Sequence, residues 1–413
     1  MNNWERFEEL FDRFQYKYKG IALNKVASFE LFMIANGTSL PFRYTCIANL
    51  FRGVNISKLR QKCNSSILYT KGEGGRKNHD SICSFVKDEI GPCSDYTIRE
   101  LGKKLAFNPL LIISVYVYCF RFLKDYNLNY GQKFRFYSFI MQYCNTIDLL
   151  QKYDYSWIKK YLCFLNPASF ENLITQFMNQ KGIVTFSLTD GIFMNYGNNA
   201  PVDAVSYHNL SSNYLLMWGQ YSVDEYKKIG ISSQCLLLAG CPKHTSLKKL
   251  KPNNPYKKCC VLLARNGYES SNLKLLDILS SFADKIEFDL KLHPKNDYSK
   301  YEILANSMHL HVLDSKISID DCLNNDNYDF AIAVNTTSYY EAFINGLPCF
   351  RFTDGTFILM EGLNDVFSNQ DELIRCINVY SNMDRQLYQQ EIVSKLEYVM
   401  GFGINNYNAC ING

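Results

Sequence analysis

Apolar and polar positions along this chain follow two periods, and the order in which they succeed one another predicts the fold. In residues 1–62, Phe7, Leu10, Phe11 and Phe14 recur at helical spacing, so this region is expected to be helical. A short apolar run from Ser66 to Thr70 predicts a strand. It leads into a glycine-rich turn, Lys71 to Lys77, and a helical stretch from about His79 to Ile90. Strand, glycine-rich turn and helix in succession are how a Rossmann-like layer begins. The stretch from about 101 to 165 is aromatic and expected to be helical. A helix at about 168–181 follows, with Gly182 as its cap. Then come a buried-type strand, Ile183–Leu188, and further strands near Tyr214–Trp218 and Gln234–Ala239.

Residues 241–258 are rich in proline and lysine and carry no apolar period, which marks a linker. Beyond it the alternation is regular. Strands are expected at Cys260–Ala264, Ile286–Leu292, His309–Leu313, Phe330–Val334 and Pro348–Phe352. Helices are expected near 271–283, 318–325 and from Ser338 to Asn345, with closing helices near 370–400. Alternating strands and helices imply parallel sheets with right-handed crossovers. The expected class is therefore α/β. Its domains are an N-terminal Rossmann-like domain with helical additions over 1–240, the linker, and a C-terminal nucleotide-binding Rossmann-like domain over 259–413.

Composition adds little to this outline. The chain has 413 residues, enough for two cores, with 47% hydrophobic and 20% charged residues, as in ordinary globular proteins. Aromatics reach 15%; an A+T-rich gene accounts for this through codon usage, and sugar stacking or membrane contact is the alternative. The net charge of +4 is too small to indicate nucleic acid as a partner, yet it is compatible with a peripheral position on an anionic inner-membrane surface. The 15 cysteines are odd in number and unpatterned, so neither a disulfide framework nor a zinc site is expected, and reduced thiols in a cytoplasm are. The N-terminus is amphipathic and acidic, unlike a signal peptide. The most apolar run, Leu105 to Phe120, falls short of the roughly 18 residues a spanning helix needs.

Ligands of open parallel sheets bind at the carboxyl ends of the strands, and several polar residues directly follow predicted strands. Thr336, Thr337 and Ser338 open a helix whose N-terminus offers N–H groups to a phosphate, or Thr336 caps the helix; the two roles are compatible. Glu341, one turn further, either accepts ribose hydroxyls or is a solvated helix residue. His293 is held extended by Pro294 and is either structural or a donor to a leaving phosphate. Asp190 before Gly191 is either a turn residue or a base for an acceptor hydroxyl. Asn266 and Gly267 form the first loop of the second domain and join the nucleotide-side candidates. Gly74, Arg76 and Gly191 are the acceptor-side candidates, although the turn holding Gly74 is equally readable as a plain connection. No Asp-x-Asp metal motif ends a strand, and Asp320-Asp321 begins a predicted helix.

These motifs resemble those of bacterial GT-B sialyltransferases and polysialyltransferases: an acidic pair before Gly (here Thr189-Asp190-Gly191), His-Pro (His293-Pro294) and a Ser/Thr pair (Thr336-Thr337 or Thr337-Ser338). Trp218-Gly219, Gly240-Cys241-Pro242 and Glu341-Ala342 are similar to features of the wider surface-polysaccharide transferases. The similarity covers roughly residues 160 to 355. It implies two Rossmann-like domains with parallel sheets facing a cleft, and inverting, metal-independent transfer without a cofactor. The donor, a nucleotide sugar such as CMP-sialic acid, would be held by Thr336, Thr337 and Ser338, with His293 at the leaving oxygen. Asp190 would activate the hydroxyl of a capsule or lipooligosaccharide glycan acceptor. The first acidic position of the motif is Thr189 here, a departure from the family. UDP- or CDP-sugar transfer, a non-catalytic scaffold in polysaccharide assembly, and an epimerase of similar fold are the competing expectations.

Overall fold

The computed structural model describes residues 2–38, 41–60, 65–72, 77–165, 169–197, 200–244, 246–251, 256–324 and 327–413. The chain divides into two compact units. The first comprises Met1–Trp218, Ser222–Lys243 and Asn405–Gly413, and the second Gly219–Tyr221 and His244–Ile404. The expected α/β class with two parallel sheets is present.

The sheet of the first unit contains β1 (Ile67–Lys71), β2 (Ser94–Thr97), β3 (Lys160–Phe164), β4 (Val184–Leu188), β5 (Tyr214–Met217) and β6 (Leu236–Leu238). Their order is β6-β5-β4-β3-β1-β2, with every pairing parallel. Strand β3 is a correction, because 101–165 was expected to be helical throughout. Its run Tyr161-Leu-Cys-Phe164 is buried at every position, and an unbroken apolar run of four has no period by which to tell strand from helix. Strand β2 and the pairing of Arg52–Val54 with Lys103–Leu105 were likewise not foreseen.

Helical additions cover this unit. Helix Asn3–Arg13 opens with a capping box: the Asn2 side chain accepts from the Glu5 amide at 2.9 Å, and the Glu5 carboxylate accepts from the Asn2 amide at 2.9 Å. Its Phe7 and Leu10 are buried, as their spacing predicts. Helix Tyr130–Leu150 is the longest among the described residues, and from Phe136 onward it lies almost wholly inside. The Arg52–Val54 strand presses so closely on it that a Cβ at Gly53 would sit 2.7 Å from the Thr146 nitrogen, so only glycine fits there. The closing helix Tyr407–Asn412 belongs to the first unit rather than the second. The Tyr407 hydroxyl donates to the Gly240 carbonyl at 2.8 Å, and the Asn412 amide to the Ile90 carbonyl at 3.2 Å.

The second unit contains β7 (Lys258–Leu262), β8 (Glu287–Lys291), β9 (His311–Val312), β10 (Phe330–Ala333), β11 (Cys349–Phe352) and β12 (Val366–Phe367), in the order β9-β8-β7-β10-β11-β12. By position in the chain this reads 3-2-1-4-5-6, the doubly wound order of dinucleotide-binding folds. Five of these strands were expected; β12 was not.

A buried ion pair fixes the loop between β11 and β12. Arg351 Nε donates to Asp365 Oδ1 at 2.7 Å, and its two terminal nitrogens donate to the Met360 and Leu363 carbonyls, both at 2.5 Å. The Tyr339 hydroxyl donates to the other carboxylate oxygen and accepts from the Leu363 amide at 3.0 Å. Burial pushes the Asp365 carboxyl up to about 6, against the pull of Arg351. A Cβ at Gly362 would run into the guanidinium. Removing one member of such a pair strands the other charge in the interior, at a cost of about 3–5 kcal/mol, whereas removing both does not. Arg351→Met is therefore expected to lower the melting temperature markedly and Arg351→Met/Asp365→Leu to recover most of the loss. Thermal denaturation of the two variants beside the parent checks this, and equal losses would contradict it.

Candidate functional site

In a 3-2-1-4-5-6 sheet the connections leaving strands 1 and 4 diverge, and a crevice opens at their carboxyl ends. Here those strands are β7 and β10. Strand β7 ends at Leu262 and runs through Ala264 into the turn Asn266–Tyr268 and helix Glu269–Ser280. Ala264 is pinned: its amide donates to the Asn272 side chain at 3.1 Å, and its carbonyl accepts from Asn272 and Asn296, both at 2.9 Å. Asn296 lies three residues after His293, so the same carbonyl ties the loop after β7 to the loop after β8. The structure thus brings the Asn266–Gly267 turn and the His293–Pro294 loop together. His293 Nδ1 accepts from the Lys295 amide at 3.1 Å, and a neutral ring held this way carries its proton on Nε2. Gly267 has no neighbour within 4 Å of where a Cβ would stand, so packing does not demand glycine there.

Beyond β10, Asn335 is the unusual residue. Its φ is +37°, in the left-handed region that asparagine tolerates better than most residues. It is 7% exposed, yet neither atom of its side-chain amide has a hydrogen-bond partner among the described residues. An unpaired buried amide is costly unless a ligand or water completes it. Neither its strained backbone nor its unpaired amide is legible in sequence.

The cluster itself differs from expectation. The helix is short, Ser338–Ile344, and its N-cap, Thr337, makes no side-chain cap hydrogen bond. The N–H groups expected to be free are used within the turn. Ser338 N donates weakly to Thr336 Oγ1 (3.4 Å), Tyr339 N to the Thr336 carbonyl (3.1 Å) and Tyr340 N to the Thr337 carbonyl (3.0 Å). These three amides are thus committed within the turn. Glu341 is not a solvated helix residue: it is 7% exposed. Its Oε1 lies 3.8 Å from Nε2 of His244, a nitrogen without a hydrogen-bond partner among the described residues. His244 falls inside the presumed linker and was missed for that reason.

In the first unit the order 2-1-3-4-5-6 puts the equivalent point between β1 and β3. The turn after β1 that holds Gly74 and Arg76 lies outside the described residues. Asp190, two residues past β4, stands 3.7 Å from His79 Nε2. The His79 ring packs on Phe164, the last residue of β3, with centroids 4.8 Å apart. Lys71 at the end of β1 pairs with Asp80 at 3.0 Å. A carboxylate beside an imidazole at strand ends is a pair able to take a proton from a hydroxyl. His79 was missed because nothing in sequence links it to a residue 111 positions away. Thr189, at the departed motif position, donates through Oγ1 to the Leu216 carbonyl at 3.2 Å and so holds the end of β4 to β5. Gly191 has open space where a Cβ would stand. Among the described residues no group of three or more His, Cys, Asp or Glu side chains is placed to hold a metal ion.

A further carboxylate seats the helix that follows the β7 loop. Asp354 accepts from Ser271 Oγ (3.1 Å), Lys274 Nζ (2.9 Å), Thr356 N (3.1 Å) and Thr356 Oγ1 (2.5 Å). Burial pushes this carboxyl up, but those hydrogen bonds outweigh it and hold it at about 2.

No family model matches the chain, and no curated protein matches it closely. Among solved structures it is similar to the lipopolysaccharide outer core galactosyltransferase WaaB in its apo form, with 12% identity over 84% of this chain and 99% of that one, at a TM-score of 0.48. It is also similar to MnaA of S. aureus with UDP (9% identity, 84% and 94% covered, TM-score 0.45). A third is the UDP-GlcNAc 2-epimerase of Neisseria meningitidis bound to UDP-GlcNAc (12% identity, 84% and 98% covered, TM-score 0.45). The strand orders themselves show two doubly wound, Rossmann-like sheets, one in each unit.

Asp354 supplies a pH test of this architecture. Its folded value, about 2, lies below its ordinary 3.8, so its stabilisation is present above about pH 4 and lost as the pH falls through about 2. Asp354→Asn is expected to melt below the parent by a constant margin above pH 4, a margin that closes towards pH 2. Melting curves across that range would show it; a gap that persists at low pH would assign the loss to packing.

Proposed function

We propose that the chain is a glycosyltransferase whose second unit holds a nucleotide-sugar donor, with Asp190 as its candidate base. The observation that carries this reading is Asn335, a buried amide without a partner, on strained backbone, beside the point where a doubly wound sheet receives nucleotides. The donor phosphates meet Asn335, Thr336, Thr337 and the Asn266–Gly267 turn, and Glu341 accepts from the ribose. The uncapped start of helix Glu269–Ser280 adds the positive end of a helix dipole.

In the step proposed, the acceptor oxygen bonds to the anomeric carbon as the bond from that carbon to the phosphate oxygen breaks. The bonding pair leaves with the nucleotide, and the Nε2–H of His293 donates to the departing phosphate. The acceptor proton passes to Asp190, whose partner His79 steadies it. One displacement inverts the anomeric centre, and no metal or cofactor takes part. The resemblance of the motifs suggests a surface glycan, capsule or lipooligosaccharide, as acceptor, and CMP-sialic acid as donor. Position 189 is a threonine tied to the Leu216 carbonyl, so the acidic pair of the resembled motif is reduced to Asp190, and UDP- and CDP-sugars are the alternative donors.

Melting shifts with CMP, UDP and CDP identify the nucleotide, and release of free nucleotide from a panel of nucleotide sugars identifies the donor. His293→Ala should lower transfer about 10²- to 10⁴-fold, the usual range of general acid–base help, with the melting temperature unchanged. Asp190→Asn should abolish transfer and leave nucleotide binding intact. Asn335→Gly, which keeps the backbone conformation, should weaken nucleotide binding about 3- to 10-fold, the worth of one hydrogen bond. A protein that responds to no nucleotide and releases none would be a scaffold, and the transferase reading would fall.

A further inference from the structure

Helix Pro109–Phe122 of the first unit is apolar on both sides. Leu111, Val115 and Cys119 face inward at spacing four and are buried. Leu110, Ile113 and Val117, at spacings three and four, lie on the other side and are exposed, Leu110 at 79%. A helix apolar all round is ordinarily buried on every side; this one is covered on one side only. It is followed across a short loop by helix Tyr130–Leu150, against which it packs.

The exposed apolar surface extends well past this helix. Ahead of it, Leu105 is 72% exposed, and Phe107 lies against Phe51 with ring centroids 5.7 Å apart. A string of ring contacts links its far end to the segment before Thr45: Phe120 to Tyr130 (5.3 Å), Phe134 to Phe42 (5.8 Å) and Phe42 to Tyr44 (6.2 Å). Tyr44 is 88% exposed. An apolar surface this continuous marks an interaction face.

Charge tells which partner fits. Segments 41–52, 103–124 and 130–135, which make up this face, contain Arg43, Arg52, Lys103, Lys104, Arg121, Lys124, Lys133 and Arg135, and not one Asp or Glu; Asp125, just past the helix, stands 3.9 Å from Arg13. The chain as a whole has 44 basic against 40 acidic residues, so the exclusion of acids here is local. Apolar side chains at the centre with lysine and arginine around them are the pattern of a surface-bound helix on anionic lipid. No helix among the described residues is long and apolar enough to cross a membrane.

We propose that this face of the first unit docks on an anionic phospholipid bilayer. Helix Pro109–Phe122 lies in the plane of the interface. Leu105, Phe107, Leu110, Ile113 and Val117 enter the headgroup–acyl boundary, and the arginines and lysines meet lipid phosphates. The inference stands on this surface alone and does not depend on the donor or on transfer.

The full-length protein is tested by co-sedimentation with vesicles of phosphatidylcholine alone and of phosphatidylcholine mixed with phosphatidylglycerol. The parent should sediment with the anionic vesicles, remain largely in solution with the neutral ones, and be released as salt rises. Leu110→Ser/Ile113→Ser/Val117→Ser should weaken anionic-vesicle binding by about tenfold or more, and Arg43→Glu/Lys104→Glu several-fold. Both should keep the parent's melting temperature, since all five side chains are exposed. Leu387→Ser, at an exposed apolar position of the second unit, should bind as the parent does. A parent that ignores anionic vesicles, or a triple variant that binds them as well as the parent, overturns the proposal. So does a parent that self-associates without lipid through this face, with the triple variant monomeric, because the surface is then a contact between copies of the chain.

Discussion

Parallel pairing on both sides of one early strand is the constraint from which both candidate sites follow. In the second unit β7 is the first strand of the sheet in the chain, and it bonds to β8 on one side and β10 on the other. Its backbone groups are satisfied only if both neighbours arrive, and right-handed crossovers then carry the two connections to opposite faces. The loops that leave β7 and β10 are forced apart, and the gap between them is where the Asn266 turn and Asn335 stand. In the first unit β1 plays the same part between β2 and β3. The location of chemistry in this protein is thus a consequence of strand order before any catalytic residue is considered.

Much of that order was legible in sequence, because a strand buried on both faces writes a short, unbroken apolar run. Cys259 to Leu262 and Phe330 to Ala333 are runs of this kind, each fully buried. The same property hid β3: Tyr161 to Phe164 directly ends a long aromatic stretch, and an apolar run of four carries no period. Strand β8 shows the complementary case. Its apolar positions Phe288 and Leu290 alternate as a strand should, which suggests that Asp289 lies in water. Instead Asp289 is buried and accepts from the Tyr328 hydroxyl (2.8 Å), pairs with His311 (2.7 Å) and lies 3.3 Å from Lys258. Partners contributed by three other places in the chain make that burial tolerable, and no local pattern announces them.

The candidate site was legible to the extent that it follows from position, and illegible where it follows from tertiary contact. Asp190, His293 and Thr336 stand at strand ends because the strands do. Whether each is committed to structure is a separate matter, and the hydrogen bonds decide it. Thr189 looked like a lost catalytic acid and is a tie between strands. The N–H groups of the short helix looked available and are spent in its first turn. Asn272 and Asn335 are both buried asparagines near strand ends, yet the first binds both backbone atoms of Ala264 and the Tyr301 hydroxyl while the second binds nothing among the described residues. The contrast matters because burying an amide costs the same hydration in both cases. Asn272 recovers it inside the protein, so it is architecture. Asn335 recovers it only from something that arrives, and its left-handed backbone adds a further cost that folding alone does not explain.

Whole-chain averages conceal the remaining feature. A net charge of +4 on 413 residues says almost nothing about partners, because it sums regions of opposite character. The aromatic content is similarly ambiguous until the rings are placed. Many are core: Tyr137, Tyr143, Tyr161 and Phe136 are fully buried, which is the outcome that codon bias alone would give once the chain folds. The rings from Phe42 to Phe134 are different, because they line an exposed face whose segments, 41–52, 103–124 and 130–135, contain no acidic residue. Neither property alone distinguishes that face, since single exposed apolar residues are common and surface lysines more so. Their coincidence on one helix and its flanks is what separates a surface shaped for contact from an ordinary one.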